Sequence, residues 1–263
     1  MTISIIVITK NNQFQIESCL QSAKKLANEI IIVDDFSADN TLKLAKKYTQ
    51  KIFQHKLTSF PAQRNWGFKQ ATGDWLMFLD ADERLTKKNI TEIKDLIKTT
   101  SHVAFRFKRQ NYYSARKIRH TGFWPDYQTR LFKRSSFKGV KGATHEDYQY
   151  DGTLGTLKQP VPHFPDRSIK LGLKKSLIWT PAEAKAFFKT SHPKITWYRL
   201  LKVIIWEFFY RYFKKQGFRD GYIGLVESIT QAINKFFIYQ QIWELQNQGK
   251  INAKVKKLEK KLL

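Results

Sequence analysis

An α/β fold with a mostly parallel sheet, followed by a helical, aromatic and basic extension, is what this sequence predicts. Two observations carry it. Through residues 1–100, short apolar runs rich in β-branched residues alternate with segments of helical period. After Pro165 the strand signals stop, and long aromatic and basic segments of helical period take over. The expected division is residues 1–165 and 166–263.

Ser4 to Ile8 is continuous and β-branched, as a central parallel strand should be. It ends in the polar loop Thr9-Lys10-Asn11-Asn12. Ile16, Cys19, Leu20, Ala23 and Leu26 then recur at helical spacing. Glu29 to Val33 is a second buried strand, closed by Asp34-Asp35-Phe36-Ser37. Asp39-Asn40-Thr41 is expected to cap a helix carrying Leu42, Leu44, Ala45 and Tyr48. Lys51 to Phe53 forms a short third strand, and Pro61 opens another helix. Trp75 to Leu79 is a fourth strand, bounded by Gly73-Asp74 and the acids Asp80, Asp82 and Glu83. Val103, Phe105 and Phe107 alternate as in a strand buried on one face. Tyr112 to His120 predicts a hairpin or loop, Gly122 to Asp126 a turn, and Gln128 to Lys133 a further strand. Gly139 to Asp147 is glycine-bearing, which lets backbone approach a ligand closely. Ser168 to Thr190 predicts a helix interrupted at Thr180-Pro181. Ile195 to Lys215, Tyr222 to Leu245 and Ala253 to Leu262 predict three more helical stretches.

The chain has 263 residues and 42 % hydrophobic content, which supports a sizeable core and excludes wholesale disorder. Lys and Arg number 47 against 22 Asp and Glu, a formal charge of +25. That excess predicts a polyanionic neighbour: nucleic acid, an anionic membrane surface or a phosphorylated substrate. Cys19 is the single cysteine, so no disulfide forms within the chain, as suits a reducing cytoplasm. In a helical pattern it reads as a buried structural thiol. No basic segment precedes the apolar run at Ile3 to Ile8, so no export signal is expected. No run reaches the ~20 apolar residues of a membrane span.

The βαβαβαβ order implies right-handed crossovers and a parallel sheet. The polar strand ends Thr9/Asn11, Asp34/Asp35 and Asp80/Asp82 then converge on the carboxyl edge, where open α/β sheets bind ligands. This is the pattern of a nucleotide site. Asp80 and Asp82, two apart, suit one hard cation or a sugar–nucleotide pyrophosphate. Taken alone, such a triplet is more often a solvated acidic turn that caps the next helix. Competing motifs are missing: there is no G-x-G-x-x-G after the first strand, no G-x-x-x-x-G-K-[ST] and no G-x-S-x-G. Asp80-Ala81-Asp82 lacks the glycine and terminal glutamate of an EF-hand loop, and His145-Glu146 has no second histidine at zincin spacing.

Four blocks in order resemble those of the family 2 glycosyltransferases with a GT-A fold. They are Ile5 to Asn11, Ile31 to Thr41, Gln63-Arg64-Asn65-Trp66-Gly67 and Ala71 to Glu83. Tyr127 to Phe132, Thr144-His145-Glu146 and Gly217 to Gly221 further resemble a subgroup that includes lipopolysaccharide-core glucosyltransferases. The resemblance implies that residues 1–100 bind a nucleotide sugar, with UDP-glucose or a similar donor expected, and that 101–165 form the acceptor side. It places Thr9, Asn11 and Arg64 near the nucleotide, Asp35 on the uracil ring and Asp80 on the ribose. Asp82 is implied to hold Mg²⁺ or Mn²⁺. Lys10 departs from the family's frequent aromatic, and the Gln-x-x-Arg-Trp motif of processive synthases is missing.

Inverting sugar transfer needs a base for the acceptor hydroxyl, and a carboxylate within hydrogen-bond reach serves. Glu146 is the expected base, with Asp147 as the alternative and His145 orienting Glu146 or the diphosphate. An ordinary surface carboxylate is what Glu146 would be without the family match. His163, held between prolines, and Arg130 are further candidates; a structural role for His163 stands equally. In the tail, basic helices with Trp, Tyr and Phe faces suit a membrane interface, and equally a homodimer contact. The expected enzyme is a metal-dependent hexosyltransferase acting on a glycolipid such as lipopolysaccharide core. It would be cytoplasmic, peripheral on the inner membrane, with no specific nucleic-acid partner. A polyprenyl-phosphate glycosyltransferase and a basic nucleic-acid- or anion-binding protein are the alternatives.

Overall fold

β1 (Ile3–Thr9) is buried along its length because it lies at the middle of a sheet covered on both faces. It pairs in parallel with β2 (Glu29–Asp34) on one side and β4 (Trp75–Phe78) on the other. β3 (Ile52–Gln54) adds in parallel beyond β2. The computed structural model describes residues 1–113, 115–142, 146–165 and 169–263, the side chains of 169–171 and 175 excepted. Among these residues the chain forms two compact units, Met1–Lys117 with Trp124–Pro165, and Ile118–Phe123 with Asp166–Leu263.

In the first unit the parallel strands give way to antiparallel pairing beyond β4. β7 (Asp126–Lys133) runs against β4, and β5 (Ala104–Tyr113) runs against β7. β6 (Arg116–Lys117) folds back on β5, while β10 (Leu154–Thr156) and β11 (Val161–His163) lie parallel to it. The strand order is β10-β5-β7-β4-β1-β2-β3. β8 (Phe137–Lys141) and β9 (Asp147–Tyr150) form a separate antiparallel pair, so the glycine-bearing stretch is partly strand.

Alternation along the strands makes two apolar layers. Ile5, Val7, Ile32 and Met77 join α1 (Ile16–Ala23) and α4 (Lys87–Thr99) in one. Ile6, Ile31, Val33, Leu76 and Phe78 join Phe132, Phe137 and Val140 in the other. α3 (Phe60–Gln70) packs close on that second layer; a methyl at Gly67 would sit 2.5 Å from the Ile6 side chain. Cys19 is fully buried, and burial pushes its thiol well above the ordinary range, as an inert core thiol requires. Asn40 makes no side-chain cap at α2 (Thr41–Ala45). Asp39 does so instead, accepting from the Thr41 N–H at 2.9 Å.

The second unit is helical. α7 (Gly221–Leu262) is its spine, and α5 (Ile169–Lys189) and α6 (Trp197–Phe209) both pack on it. Ala184, Ile195, Ile238 and Ile242 are buried there. Two expectations are corrected. Pro181 lies inside α5 without interrupting it, where Thr180 and Ala184 are buried and Gln241 reaches Thr180. Packing on α7 outweighs the one lost backbone hydrogen bond. The two expected C-terminal helices are one, because nothing between Leu245 and Ala253 breaks it; Gly249 alone lowers propensity only modestly. The loop Ile118–Phe123 belongs to this unit: Asp220 accepts from the His120 N–H at 2.8 Å, and Arg211 donates to the Thr121 carbonyl at 2.8 Å. No helix among the described residues is long and apolar enough to cross a membrane.

Glu29 ties the sheet together at the opposite end from the acidic strand tips. It accepts from Ser4, from the Thr72 N–H (2.6 Å) and hydroxyl (2.9 Å), and pairs with Lys51. Burial alone would raise its carboxyl, but Lys51, Ser4 and Thr72 outweigh that and hold it at about 2. A depressed carboxylate stabilises the fold above its unfolded value and loses that contribution as pH falls through the folded one. Glu29→Gln is expected to cost about 2 kcal/mol at pH 7. Urea unfolding should show the gap to the parent protein closing as pH falls from about 4.5 towards 2.

Candidate active site

The carboxyl edge of β1, β2 and β4 gathers the polar groups. The Asp35 N–H donates to the Thr9 carbonyl at 2.9 Å, which holds the first two strand ends together. Asn11, at φ 51°, donates its N–H to the Ser37 hydroxyl oxygen (2.8 Å) and accepts from the Ala38 N–H through its side-chain Oδ1 (2.8 Å). An asparagine tolerates this left-handed conformation better than most residues. Asp35 is almost fully buried. Burial would raise its carboxyl, but the Leu57 N–H (3.0 Å) and Lys10 (2.6 Å) hold it below the usual range. Lys10, the departure from the family pattern, is therefore the direct partner of Asp35.

Asp80 follows β4 and enters a closed ring of alternating charge. Arg64 from α3 donates through Nη2 to Asp80 Oδ1 (2.8 Å) and through Nε to Glu146 Oε1 (2.5 Å). Arg130 from β7 donates through Nη2 to Asp80 Oδ2 (3.2 Å) and through Nη1 to Glu146 Oε2 (2.8 Å). Each carboxylate thus gives one oxygen to each guanidinium. Tyr148, two residues on from Glu146, donates its hydroxyl to Glu146 Oε2 at 3.0 Å. Arg64 also lies over the Phe78 ring and Arg130 over the Tyr148 ring. Both arginines are buried, at 3 % and 5 % side-chain exposure. Burial opposes the Asp80 charge, yet Arg130, Arg64 and then Arg109 hold the carboxyl far below the usual range. Among the described residues, Arg64 Nη1 and Arg130 Nε are buried without a hydrogen-bond partner, polar positions that a bound ligand or water would satisfy.

Glu83 is fully buried behind the ring and accepts the Asp80 N–H at 3.1 Å. Burial, then the neighbouring Asp80 charge, pushes its carboxyl up to about 7. Arg109 sits 3.9 Å from Asp80 and 4.0 Å from Glu83, and binds Asp126 at 2.7 Å.

Asp82 is separate from the ring. Its Oδ2 lies 3.2 Å from His163 Nε2, while His163 Nδ1 lies 2.5 Å from Asn111 Oδ1. When Nδ1 carries the proton for Asn111 and the ring is neutral, Nε2 would offer a lone pair beside the carboxylate. Two acceptors facing at that distance suit a shared cation. Carboxylate and imidazole together fit a divalent ion that completes its shell from phosphate and water. Among the described residues no three His, Cys, Asp or Glu side chains converge to hold a metal alone.

The structure therefore brings Asp80, Glu146, Arg64 and Arg130 into one cluster, Asp82 and His163 into a second, and Thr9, Asn11 and Asp35 along the adjoining strand ends. Asp147 is exposed and accepts from Gln149 Nε2 at 2.7 Å. His145 lies outside the described residues. Sequence reading missed Arg109, Glu83, Tyr148 and Asn111. Arg109 had a signal: it continues the alternation of Phe105 and Phe107 along β5. Tyr148 had another, since residues two apart in a strand share a face with Glu146.

A family model described as Glycosyl transferase family 2 matches residues 4–150, over half of the chain. An uncharacterized glycosyltransferase of Rickettsia felis is 27 % identical over 89 % of this chain and 87 % of its own length. A lipopolysaccharide core biosynthesis glycosyltransferase, LpsC of Rhizobium meliloti, is 23 % identical over 93 % of each chain. Among solved structures, S. aureus TarS in complex with UDP-GlcNAc aligns with 95 % of this chain and 92 % of its own, at 15 % identity and a TM-score of 0.47.

Removing one partner from a buried charge ring leaves the opposite charges uncompensated. Arg64→Met is expected to lower the unfolding free energy by about 3 kcal/mol. Adding Asp80→Asn should recover part of that loss, and a double-mutant cycle by urea unfolding measures the coupling. Strict additivity of the two changes would contradict the ring.

Proposed function

The chain belongs to glycosyl transferase family 2, and on that premise we propose that it moves a hexose from a nucleotide sugar to a glycolipid acceptor with inversion. UDP-glucose or a similar donor and a lipopolysaccharide-core acceptor at the cytoplasmic membrane face are the substrates this reading names. The first unit, with its mostly parallel sheet and antiparallel flank, has the GT-A arrangement. The observation that carries the proposal is the ring at the end of β4, which fixes two carboxylates of different role within one polar cluster.

In the reaction the acceptor hydroxyl oxygen attacks the anomeric carbon, the bond from that carbon to the diphosphate breaks, and a base takes the hydroxyl proton. Glu146 is that base. Among the described residues, its Oε2 accepts from Arg130 and Tyr148, whereas Oε1 accepts from Arg64 alone. A carboxylate oxygen has two lone pairs, so Oε1 is the atom left to take the proton. Each Asp80 oxygen likewise accepts one arginine and keeps one lone pair, which suits ribose hydroxyls. Asp35, fixed by Leu57 and Lys10, serves the nucleobase, with Thr9 and Asn11 shaping the loop beside it.

Asp82 and His163 would hold Mg²⁺ or Mn²⁺ with the donor diphosphate. When bound, such an ion neutralises charge that develops on the leaving group. Asn111 fixes the His163 ring so that Nε2 faces Asp82.

Calorimetry tests the donor site: UDP should bind in the presence of Mn²⁺, and Asp82→Asn should lose the metal-dependent part. Equal UDP affinity with and without Mn²⁺ would remove Asp82 from its role. Glu146→Gln should lower turnover roughly 10²–10⁴-fold while UDP affinity is retained. Near-normal turnover in the folded variant would exclude Glu146 as the base.

A further inference from the structure

The helical unit carries two apolar surfaces that its own core leaves uncovered. On α6 and the π-helical turn after it (Tyr210–Lys214), Trp197, Leu201, Ile205, Trp206, Phe209 and Phe213 form one stripe, roughly 24 Å long at helical rise. All are at least half exposed, Trp197 at 76 % and Trp206 at 62 %. The second surface is the end of α7. Residues 248–263 are all exposed, with Ile251, Val255, Leu258 and Leu262 on one helical face. That segment also holds six lysines and one glutamate. So short an amphipathic segment gains little from helix formation in water alone, and its apolar face asks for a partner.

Charge selects the partner. Lys202, Lys214, Lys215 and Arg219 are exposed on and beside the α6 stripe. The two carboxylates of that stretch are engaged within the unit: Glu207 pairs with Arg211, and Asp220 accepts from the Arg119 and His120 N–H groups. Among the described residues, the exposed charges along this stretch are therefore positive. A second copy would set lysines against lysines. An anionic bilayer accepts both features at once: aromatic side chains at headgroup level and lysines against lipid phosphate.

We infer that the α6 stripe and the lysine-rich end of α7 bind the surface of an anionic lipid bilayer. Neither surface spans the membrane; both lie on it. The claim goes beyond the donor site and stands apart from it, because none of these residues contributes to that site.

The test is co-sedimentation of the full chain with vesicles of phosphatidylcholine alone or with phosphatidylglycerol, at low and physiological salt. UDP calorimetry on the same preparations reads the donor site separately. Binding should require phosphatidylglycerol. Trp197→Glu with Trp206→Glu should weaken it at least tenfold, as should Lys254→Glu with Lys257→Glu and Lys261→Glu, with UDP binding unchanged in both. All five positions are exposed, and circular dichroism confirms the fold. Failure to sediment at low salt would overturn the inference. So would sedimentation unaffected by the tryptophan changes. A change from dimer to monomer in analytical ultracentrifugation, with vesicle binding unaltered, would overturn it in favour of a second copy.

Discussion

The alternating ring of Asp80, Arg64, Glu146 and Arg130 is the constraint on which the rest of the site depends. Burying a guanidinium is costly unless its charge is matched and its N–H groups are bonded. Here each buried arginine spans two carboxylates, and each carboxylate spans two arginines. None of the four is satisfied unless β4, α3, β7 and the approach to β9 are all in place. The parallel sheet brings Asp80 to its carboxyl edge. The antiparallel β7, set against β4 by Phe132 opposite Leu76, delivers Arg130 beside it. The ring is thus a consequence of the mixed sheet, and the position of Glu146 is a consequence of the ring.

The same geometry divides the D-x-D motif. The acids are two apart in sequence, and sequence alone lets both face one cation. In the structure Asp80 is committed to guanidinium groups and Asp82 to an imidazole. The separation follows from the turn after β4, where Glu83 accepts the Asp80 N–H and bridges in antiparallel fashion to His163. That bridge places β11 beside the motif, so the histidine between its prolines arrives opposite Asp82. A carboxylate bound by arginines is a poor further ligand for a cation, because the opposite charge it offers is already matched. Asp82, with one imidazole beside it, is not matched in that way. The chemistry of the two positions therefore differs through their neighbours rather than through their identity.

Much of this was legible in the sequence because it is local. β-branched runs ending in polar residues gave the order of the parallel strands, and topology alone then placed Thr9, Asp35 and Asp80 on one edge. The ring was not legible. Arg64 and Glu146 are 82 positions apart, and no local pattern couples them. Arg130 was recognisable only as part of a block, without its partners. Glu83 entered only as one of the acids that close the fourth strand, yet it is fully buried. The helical unit misled in the opposite sense. Pro181 and Gly249 are local break signals, and tertiary packing on α7 overrides the first while the second is too weak alone.

Net charge takes a different meaning once the site is resolved. A charge of +25 invites the reading that the catalytic pocket itself attracts polyanions. Yet the arginines there are matched by carboxylates, the buried Arg64 and Arg130 by Asp80 and Glu146, and the half-buried Arg109 by Asp126. The unmatched charge is carried by exposed lysines, many of them on the helical unit, where the segment after Gln248 alone holds six. Exposed charges act through solvent and are screened beyond about 8 Å at physiological salt. They steer and hold the protein at an anionic surface but discriminate poorly between one phosphate and another. Discrimination needs fixed, desolvated groups, which is what the ring and the Asp82–His163 pair supply. On the proposed reading, location and selectivity would be carried by different residues, and a change to the surface lysines should move one without the other.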